Sequence, residues 1–96
     1  MALTKEIVID KIEVMEMGNL QVRTATRVLE DGVVLSSSFH RHILEPSTKD
    51  LNAEEVLEWG DTDISGEDAR VQAIATATWT AEVKTAWQEM IDAQSL

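Results

Sequence analysis

Strand-like residues fill the first half of the chain in three runs of similar length, 8–17, 20–29 and 33–44. The runs are separated by Gly18-Asn19 and Asp31-Gly32. Both pairs are typical of two-residue hairpin turns, because glycine readily adopts the positive φ that such turns need. The pattern predicts a three-stranded antiparallel β-meander over residues 1–45.

Two-residue turns would fix which side chains share a face of this sheet. They would pair Met17 with Leu20 across the first hairpin and Thr24 with Phe39 across the second. One face then collects most of the large apolar side chains, and we expect it to form the core: Ile9, Met15, Met17, Leu20, Val22, Val28, Leu35, Phe39 and Ile43.

The opposite face of the predicted sheet is the first candidate binding surface. It carries Arg23, Arg27, His40 and His42, with Asp10 placed across from Arg27 as a surface ion pair. Apolar side chains interrupt this face, which indicates that another protein covers part of it. Arg23 and Arg27 suit an acidic partner surface.

Pro46 ends the predicted sheet, since proline cannot donate a hydrogen bond to a neighbouring strand. The segment that follows, residues 46–65, is predicted to be an acidic loop. A short helical turn over residues 53–59, capped by Asn52, would interrupt this loop. Trp59 at its end is a candidate for either the core or a binding interface.

Two helices are predicted at the end of the chain. Ser65 is a signal for the start of a helix over residues 67–78, and Thr80 is a signal for a second helix over residues 81–93. Apolar residues recur at helical spacing in both helices: Val71, Ile74, Ala75 and Thr78 in the first, and Val83, Ala86, Trp87, Met90 and Ile91 in the second. We expect Trp79 and Trp87 to lie in the core.

These elements predict one α+β domain over residues 1–96, in which a three-stranded antiparallel β-meander packs against two C-terminal helices within residues 66–96. The chain has 96 residues, of which 44% are apolar, and this is enough for one core. It contains no cysteine, so we expect neither disulfides nor thiolate metal sites.

The net charge of −10 opposes nucleic-acid binding, which depends on cationic side chains. No apolar run approaches the roughly 18 residues of a membrane-spanning helix, so a membrane is not an expected partner. The first residues soon include Glu6 and lack the long apolar region of a secretory signal. We therefore expect synthesis and folding in a cytoplasm.

His40-Arg41-His42 is the cluster with acid–base chemistry. Two histidines two residues apart on a strand share a face and could hold one metal ion. The predicted register supplies no third ligand and places Arg23 nearby, which favours a binding surface, a pH-sensitive surface or a solvated strand face. The three serines at 36–38 lack an orienting partner group. We expect no enzyme activity, no cofactor and no metal site.

Asp61-Thr62-Asp63-Ile64-Ser65-Gly66 matches the first half of an EF-hand calcium loop. The second half departs from that motif, because Gln72 stands where a bidentate glutamate is needed. The segment therefore has two interpretations, a calcium site and a solvated loop that leads into a helix. The solvated loop is the better of the two.

Several short segments, spread over most of the chain, form a recognisable set: Lys11-Ile12-Glu13-Val14, Gln21-Val22-Arg23-Thr24-Ala25-Thr26, Glu30-Asp31-Gly32, Ser38-Phe39-His40-Arg41-His42, Glu45-Pro46, Asp68-Ala69-Arg70-Val71-Gln72-Ala73-Ile74-Ala75 and Trp79-Thr80. Together they resemble a group of small tailed-bacteriophage proteins that accompany virion-structure genes. Ala81 departs from the group, where a proline would be expected after Trp79-Thr80. The resemblance implies a virion protein and transfers no catalytic residue.

From these features we expect a small structural or accessory protein of a tailed phage particle, in the tail, baseplate or fibre attachment region. Its partners would be other virion proteins, with a second copy of the chain as a further candidate. The predicted binding residues are Arg23, Arg27, His40, His42 and Trp59. The alternative is a cytoplasmic acidic regulator or inhibitor that binds a basic protein.

Overall fold

The protein is built around one long three-stranded sheet, seen in a computed structural model that describes residues 2–94. The sheet is antiparallel, with the second strand in its centre, and comprises β1 (Leu3–Val14), β2 (Leu20–Glu30) and β3 (Val33–Leu44). A second, two-stranded antiparallel sheet follows, formed by β4 (Ser47–Leu51) and β5 (Leu57–Asp61). Two helices come last, α1 (Ala69–Thr78) and α2 (Ala81–Gln94). The predicted α+β class, the meander and the two helices are confirmed.

The first reversal of the chain is longer than a two-residue turn. Val14 pairs with Leu20, so five residues form the connection. Within it, the Gly18 N–H donates to the Met15 carbonyl oxygen at 2.9 Å. The predicted pairing of Met17 with Leu20 is wrong, because Met17 lies inside the turn.

Two β-bulges shift the pairing within the sheet. The extra residue is Asp10 in β1 and Leu35 in β3. Each bulge moves the partners beyond it by one position, and a one-residue shift sends side chains to the opposite face. Phe39 consequently pairs with Ala25 and not with the predicted Thr24.

The corrected register changes which side chains form the core. Leu20 and Val22 are buried as predicted, and Leu44 of β3 pairs with Leu20 beside them. Four other predicted core residues are exposed instead: Met15, Leu35, Phe39 and Ile43. We call the face that carries Leu20 and Val22 the helix-side face of the sheet, and the opposite face the outer face.

The core lies at one end of the sheet, where the helices meet β2. Its buried members are Leu20 and Val22 from β2, Val71 and Ala75 from α1, and Trp79 just after α1. Burial of each valine or leucine side chain stabilises the fold by about 1.5–3 kcal/mol. Partly buried apolar residues surround this cluster: Ile9, Ile12, Leu44, Ile64, Ile74 and Val83. Trp87 of α2 is also buried, so both tryptophans predicted for the core are confirmed there.

Trp79 connects the helices to the first turn of the sheet. Its indole N–H donates to the Gly18 carbonyl oxygen at 2.7 Å, in a buried position. The Trp79 backbone N–H donates to the Ala75 carbonyl oxygen at 2.8 Å and closes α1. The chain then breaks and starts α2, where the Thr80 hydroxyl accepts a hydrogen bond from the Val83 N–H at 3.3 Å. The predicted break and second N-cap are confirmed.

The first helix starts two residues later than predicted. Asp68, and not Ser65, caps α1, because its carboxylate accepts a hydrogen bond from the Arg70 N–H at 2.9 Å. An aspartate is as good an N-cap as a serine, and here it stands one residue before the first helical position.

The predicted acidic loop contains the β4–β5 hairpin, and the helical turn predicted over residues 53–59 is wrong. Asn52 caps the turn of this hairpin: its side-chain oxygen accepts from the N–H groups of Glu54 at 2.9 Å and Val56 at 3.1 Å. Apolar anchors at Leu51 and Leu57 pair across the strands instead of sharing a helix face. This hairpin contacts α2.

Glycines 18 and 32 provide a matched test of the contact between the first turn and α2. Both have positive φ, +91° and +84°, so alanine at either position is strained by about 1–2 kcal/mol. At Gly18 a new Cβ would also lie 2.5 Å from Val83 Cγ1, whereas Gly32 has open space. We expect Gly18→Ala to lower the free energy of unfolding by about 1–3 kcal/mol more than Gly32→Ala does, measured by urea denaturation.

Gly66→Ala serves as the control, because Gly66 has open space and no positive φ. Its effect should stay within about 0.5 kcal/mol. Equal losses for the variants at Gly18 and Gly32 would contradict the close approach of α2 to the first turn.

Candidate functional site

The half of the sheet that lies far from the helices is uncovered on both faces. The residues packed against the core on the sheet lie at one end, around Leu20 and Val22. Toward the hairpin at Asp31, apolar side chains are exposed: Leu3 by 64%, and Ile7 by 63%. We call residues 3–8 and 25–39 the distal sheet.

Both faces of the distal sheet carry apolar side chains. On the helix-side face Ile7 pairs with Thr26 and is exposed. On the outer face Val34 pairs with Leu29, and Phe39, 50% exposed, pairs with Ala25. An antiparallel sheet in a monomer commonly packs one face on a core and leaves a polar face to water. Apart from the small buried Ala25, neither face of the distal sheet is packed on a core, which is typical of a surface that another protein covers.

The two edges of the distal sheet differ in charge. The β1 edge carries ionisable side chains, including Lys5 and Glu6, which discourage pairing with a further strand. The β3 edge carries no ionisable side chain from Val33 to Phe39, and all of these residues are exposed. The β3 edge therefore lacks the charges of the β1 edge, and its regular part beyond the bulge at Leu35, from Ser36 to Phe39, can accept a strand. The sequence alone contains this signal, in the uncharged run 33–39.

The two arginines predicted to bind a partner lie on the outer face and pair with carboxylates of β1. Arg23 forms two hydrogen bonds to Asp10, from Nε at 2.9 Å and from a terminal nitrogen at 2.7 Å. The Arg23 guanidinium also lies 4.4 Å from the centre of the Phe39 ring. Arg27 donates to Glu6 at 3.0 Å. The predicted pairing of Asp10 with Arg27 is wrong, because the five-residue first turn shifts β1 by three positions against β2 and the bulge then leaves Asp10 beside Arg23.

The arginine of this pair changes the ionisation of its aspartate. Asp10 is 12% exposed, and the hydrogen bonds from Arg23 hold the pKa of its carboxyl below the ordinary value of 3.8. The carboxylate in turn raises the pKa of the Arg23 guanidinium. Both side chains are charged at neutral pH, and the pair fixes the bulge in β1 against β2.

The two histidines lie on the helix-side face, so the prediction that they share a face with the arginines is wrong. His42 pairs with Val22 and His40 pairs with Thr24, so neither lies opposite Arg23, which the predicted register placed near them. His42 Nε2 lies 2.7 Å from a carboxylate oxygen of Glu67, just before α1.

This contact joins β3 to the start of the helical part. The rings of His40 and His42 are stacked with their centres 6.3 Å apart. Within residues 2–94, no group of three His, Cys, Asp or Glu side chains is arranged to hold a metal ion.

Trp59 lies in β5, where it is part of a contact between the hairpin and α2. Its indole N–H donates to Asp92 at 3.3 Å, and Lys49 lies 5.0 Å above its ring. Lys49 also pairs with Asp92 at 2.9 Å. The hydrogen bond from Lys49 is the largest cause of a lowered pKa of the Asp92 carboxyl, and the hydrogen bond from Trp59 lowers this pKa further. A binding role for Trp59, as for the arginines and histidines, stays a prediction.

The carboxylates of the EF-hand-like segment take part in local contacts. Lys84 of α2 donates to Asp61 at 2.8 Å, and Asp63 accepts from the Ser65 N–H at 2.9 Å. The hydrogen bonds from Ser65 lower the pKa of the Asp63 carboxyl. A cleft of about 170 Å³ lies between this segment and Trp79, smaller than most ligand sites. The arrangement supports the interpretation of a solvated loop that leads into a helix.

Comparisons with known proteins give no relative for this chain: no family model, curated protein or solved structure matches it. No helix among residues 2–94 is long and apolar enough to cross a membrane.

The Arg23–Asp10 pair predicts a pH-dependent effect of the substitution Asp10→Asn. Because the pKa of Asp10 is lowered in the folded protein, the pair stabilises the fold above the unfolded pKa near 3.8. This contribution is lost as the pH falls through the folded pKa. We expect Asp10→Asn to be less stable than the wild type at neutral pH, with a difference that shrinks below about pH 4.

Urea denaturation of both chains at a series of pH values measures this difference. A difference in the free energy of unfolding that stays constant through the acid range would show that Asp10 does not form the pair in solution.

Proposed function

We propose that the protein is a small structural or accessory subunit that acts through protein–protein contacts of its distal sheet. The observation that carries this proposal is the apolar surface on both faces of the distal sheet, next to a β3 edge without charges. Covering such a surface with a partner removes apolar area from water, and an added strand satisfies the free backbone groups of the edge.

The proposed setting is the particle of a tailed phage, in the tail, baseplate or fibre attachment region. The support for this setting is the resemblance of the sequence segments to small tailed-phage proteins. The partners are then other virion proteins, and the protein is made in the cytoplasm of the bacterial host before it joins the virion.

The proposal is non-enzymatic. The side chains that could take part in catalysis form contacts within the chain: Arg23 with Asp10, His42 with Glu67, and Asp61 with Lys84. Each of these contacts joins two elements of the fold, which is a structural role.

A second candidate function is supported by the charge of the other end of the molecule. Residues 45–96 contain twelve acidic and three basic side chains. Several acids are exposed on the β4–β5 hairpin and its turn, among them Asp50, Glu54 and Glu58. Such a surface suits an acidic regulator or inhibitor that binds a basic protein.

Mass spectrometry of purified particles of the phage that encodes this chain separates the two functions. We expect the protein in washed particles, at a constant ratio to the known structural proteins, because the distal sheet is covered only on assembly. High salt should not remove it, since the proposed contact is mainly apolar and is not screened.

Recovery of the protein only from the supernatant of the lysate would contradict the structural role. It would favour the acidic regulator, whose contact with a basic partner weakens with salt.

A further inference from the structure

The edge of β3 can pair with another uncharged strand, and β3 itself is uncharged over residues 33–39. From Val33 to Phe39 the strand is uncharged, and its charged or titratable side chains, His40, Arg41 and His42, lie only toward the helical end. The residue midway between Val33 and Arg41 is Ser37, which is exposed.

The charge of the molecule is concentrated at one end. Residues 1–44, which form the sheet, contain five basic and six acidic side chains, a net charge of −1. Residues 45–96, with twelve acidic and three basic side chains, have a net charge of −9. Two copies therefore repel each other at the helical ends and not along the distal sheets.

We propose that β3 pairs antiparallel with β3 of a second copy, about a two-fold axis at Ser37, so that two three-stranded sheets form one six-stranded sheet. This inference rests on the proposed function and names one partner of the distal sheet. A two-fold contact is self-complementary, because the same edge serves both copies.

The antiparallel arrangement is the one that the charges favour. It places the two acidic helical ends at opposite ends of the dimer, on a molecule whose longest extent is 58 Å. A parallel arrangement of the same edges would bring these ends side by side and cost electrostatic energy.

The proposed register also places compatible side chains opposite each other. Ser36 of one copy lies opposite Ser38 of the other, and beyond this pair the bulge residue Leu35 comes next to Phe39, a favourable aliphatic–aromatic contact. The two Arg41 residues are eight positions apart along the paired strands, about 27 Å, so they do not repel strongly.

Charge substitutions at Ser37 test the axis directly, because each copy of Ser37 would lie opposite the other. The chains to compare are wild type, Ser37→Lys, Ser37→Glu and an equimolar mixture of the two variants, by sedimentation equilibrium over a wide range of concentration. We expect the wild type to dimerise and each variant alone to dimerise about tenfold more weakly or worse, since like charges meet. The mixture should regain the dimer, because lysine then meets glutamate.

Thr4→Lys is the matched control on the other edge. Thr4 is exposed and lies on the outer face of β1, as Ser37 does on β3. We expect this variant to dimerise like the wild type. Circular dichroism establishes that each variant is folded before its mass is compared.

A wild type that stays monomeric at every concentration would overturn the proposal, as would a dimer weakened by Thr4→Lys but not by Ser37→Lys. Failure of the mixture to recover would exclude an axis at Ser37. These outcomes differ from failure of the proposed function. A monomer that is still found in washed particles would bind other virion proteins through the distal sheet. A dimer that is absent from particles would pair with itself and have no structural role.

Discussion

The fold depends on the contact between Trp79 and the start of β2. The indole of Trp79 packs in the buried cluster with Leu20 and Val22, and its N–H donates to the Gly18 carbonyl oxygen at 2.7 Å. A buried carbonyl without this donor would cost about 1–3 kcal/mol. The Trp79 side chain thus holds the end of α1, the break before α2 and the first turn of the sheet next to one another.

A consequence of this contact is that the core lies at one end of a long molecule. The strands of the main sheet have 11 or 12 residues, and the helices cover only the end near the first turn. The radius of gyration is 17.7 Å, larger than the about 13 Å of a compact domain of this size. The distal sheet is held by its own strand pairing and by the Arg27–Glu6 contact, and its apolar side chains are exposed. This division into an anchored end and an uncovered end is the physical basis of the proposed role in assembly.

The elements of the main sheet and the two helices could be predicted from the sequence, because turn residues and helical spacing are local signals. The faces of the sheet could not. Asp10 and Leu35 each add one residue to a strand, and nothing in the local sequence marks them as bulges. Each bulge reverses the alternation beyond it, and both faces contain apolar residues, so the hydrophobic pattern could not select the register.

The faces on which the candidate binding residues lie could be predicted only in part, because of the same bulges. Arg23 and Arg27 do share a face, since they are four residues apart on one regular strand. His40 and His42 belong to a strand that carries a bulge, and their face was therefore assigned wrongly. The β4–β5 hairpin was missed because Leu51, Val56, Leu57 and Trp59 also fit a short helical turn, and the contact of Trp59 with Asp92 is distant in sequence. The uncharged edge of β3 was readable from the sequence, but its significance depends on the absence of a cover, which only the structure shows.

Hydrogen exchange along β2 in dilute solution tests whether the core holds one end of the sheet and leaves the other uncovered. β2 is the central strand and pairs with both neighbours, so differences in exchange along it report local stability and not missing strand partners. We expect the slowest exchange at the amides around Leu20 and Val22, with protection that falls steadily toward Glu30. Equal protection along the whole strand, or the slowest exchange near Glu30, would contradict it.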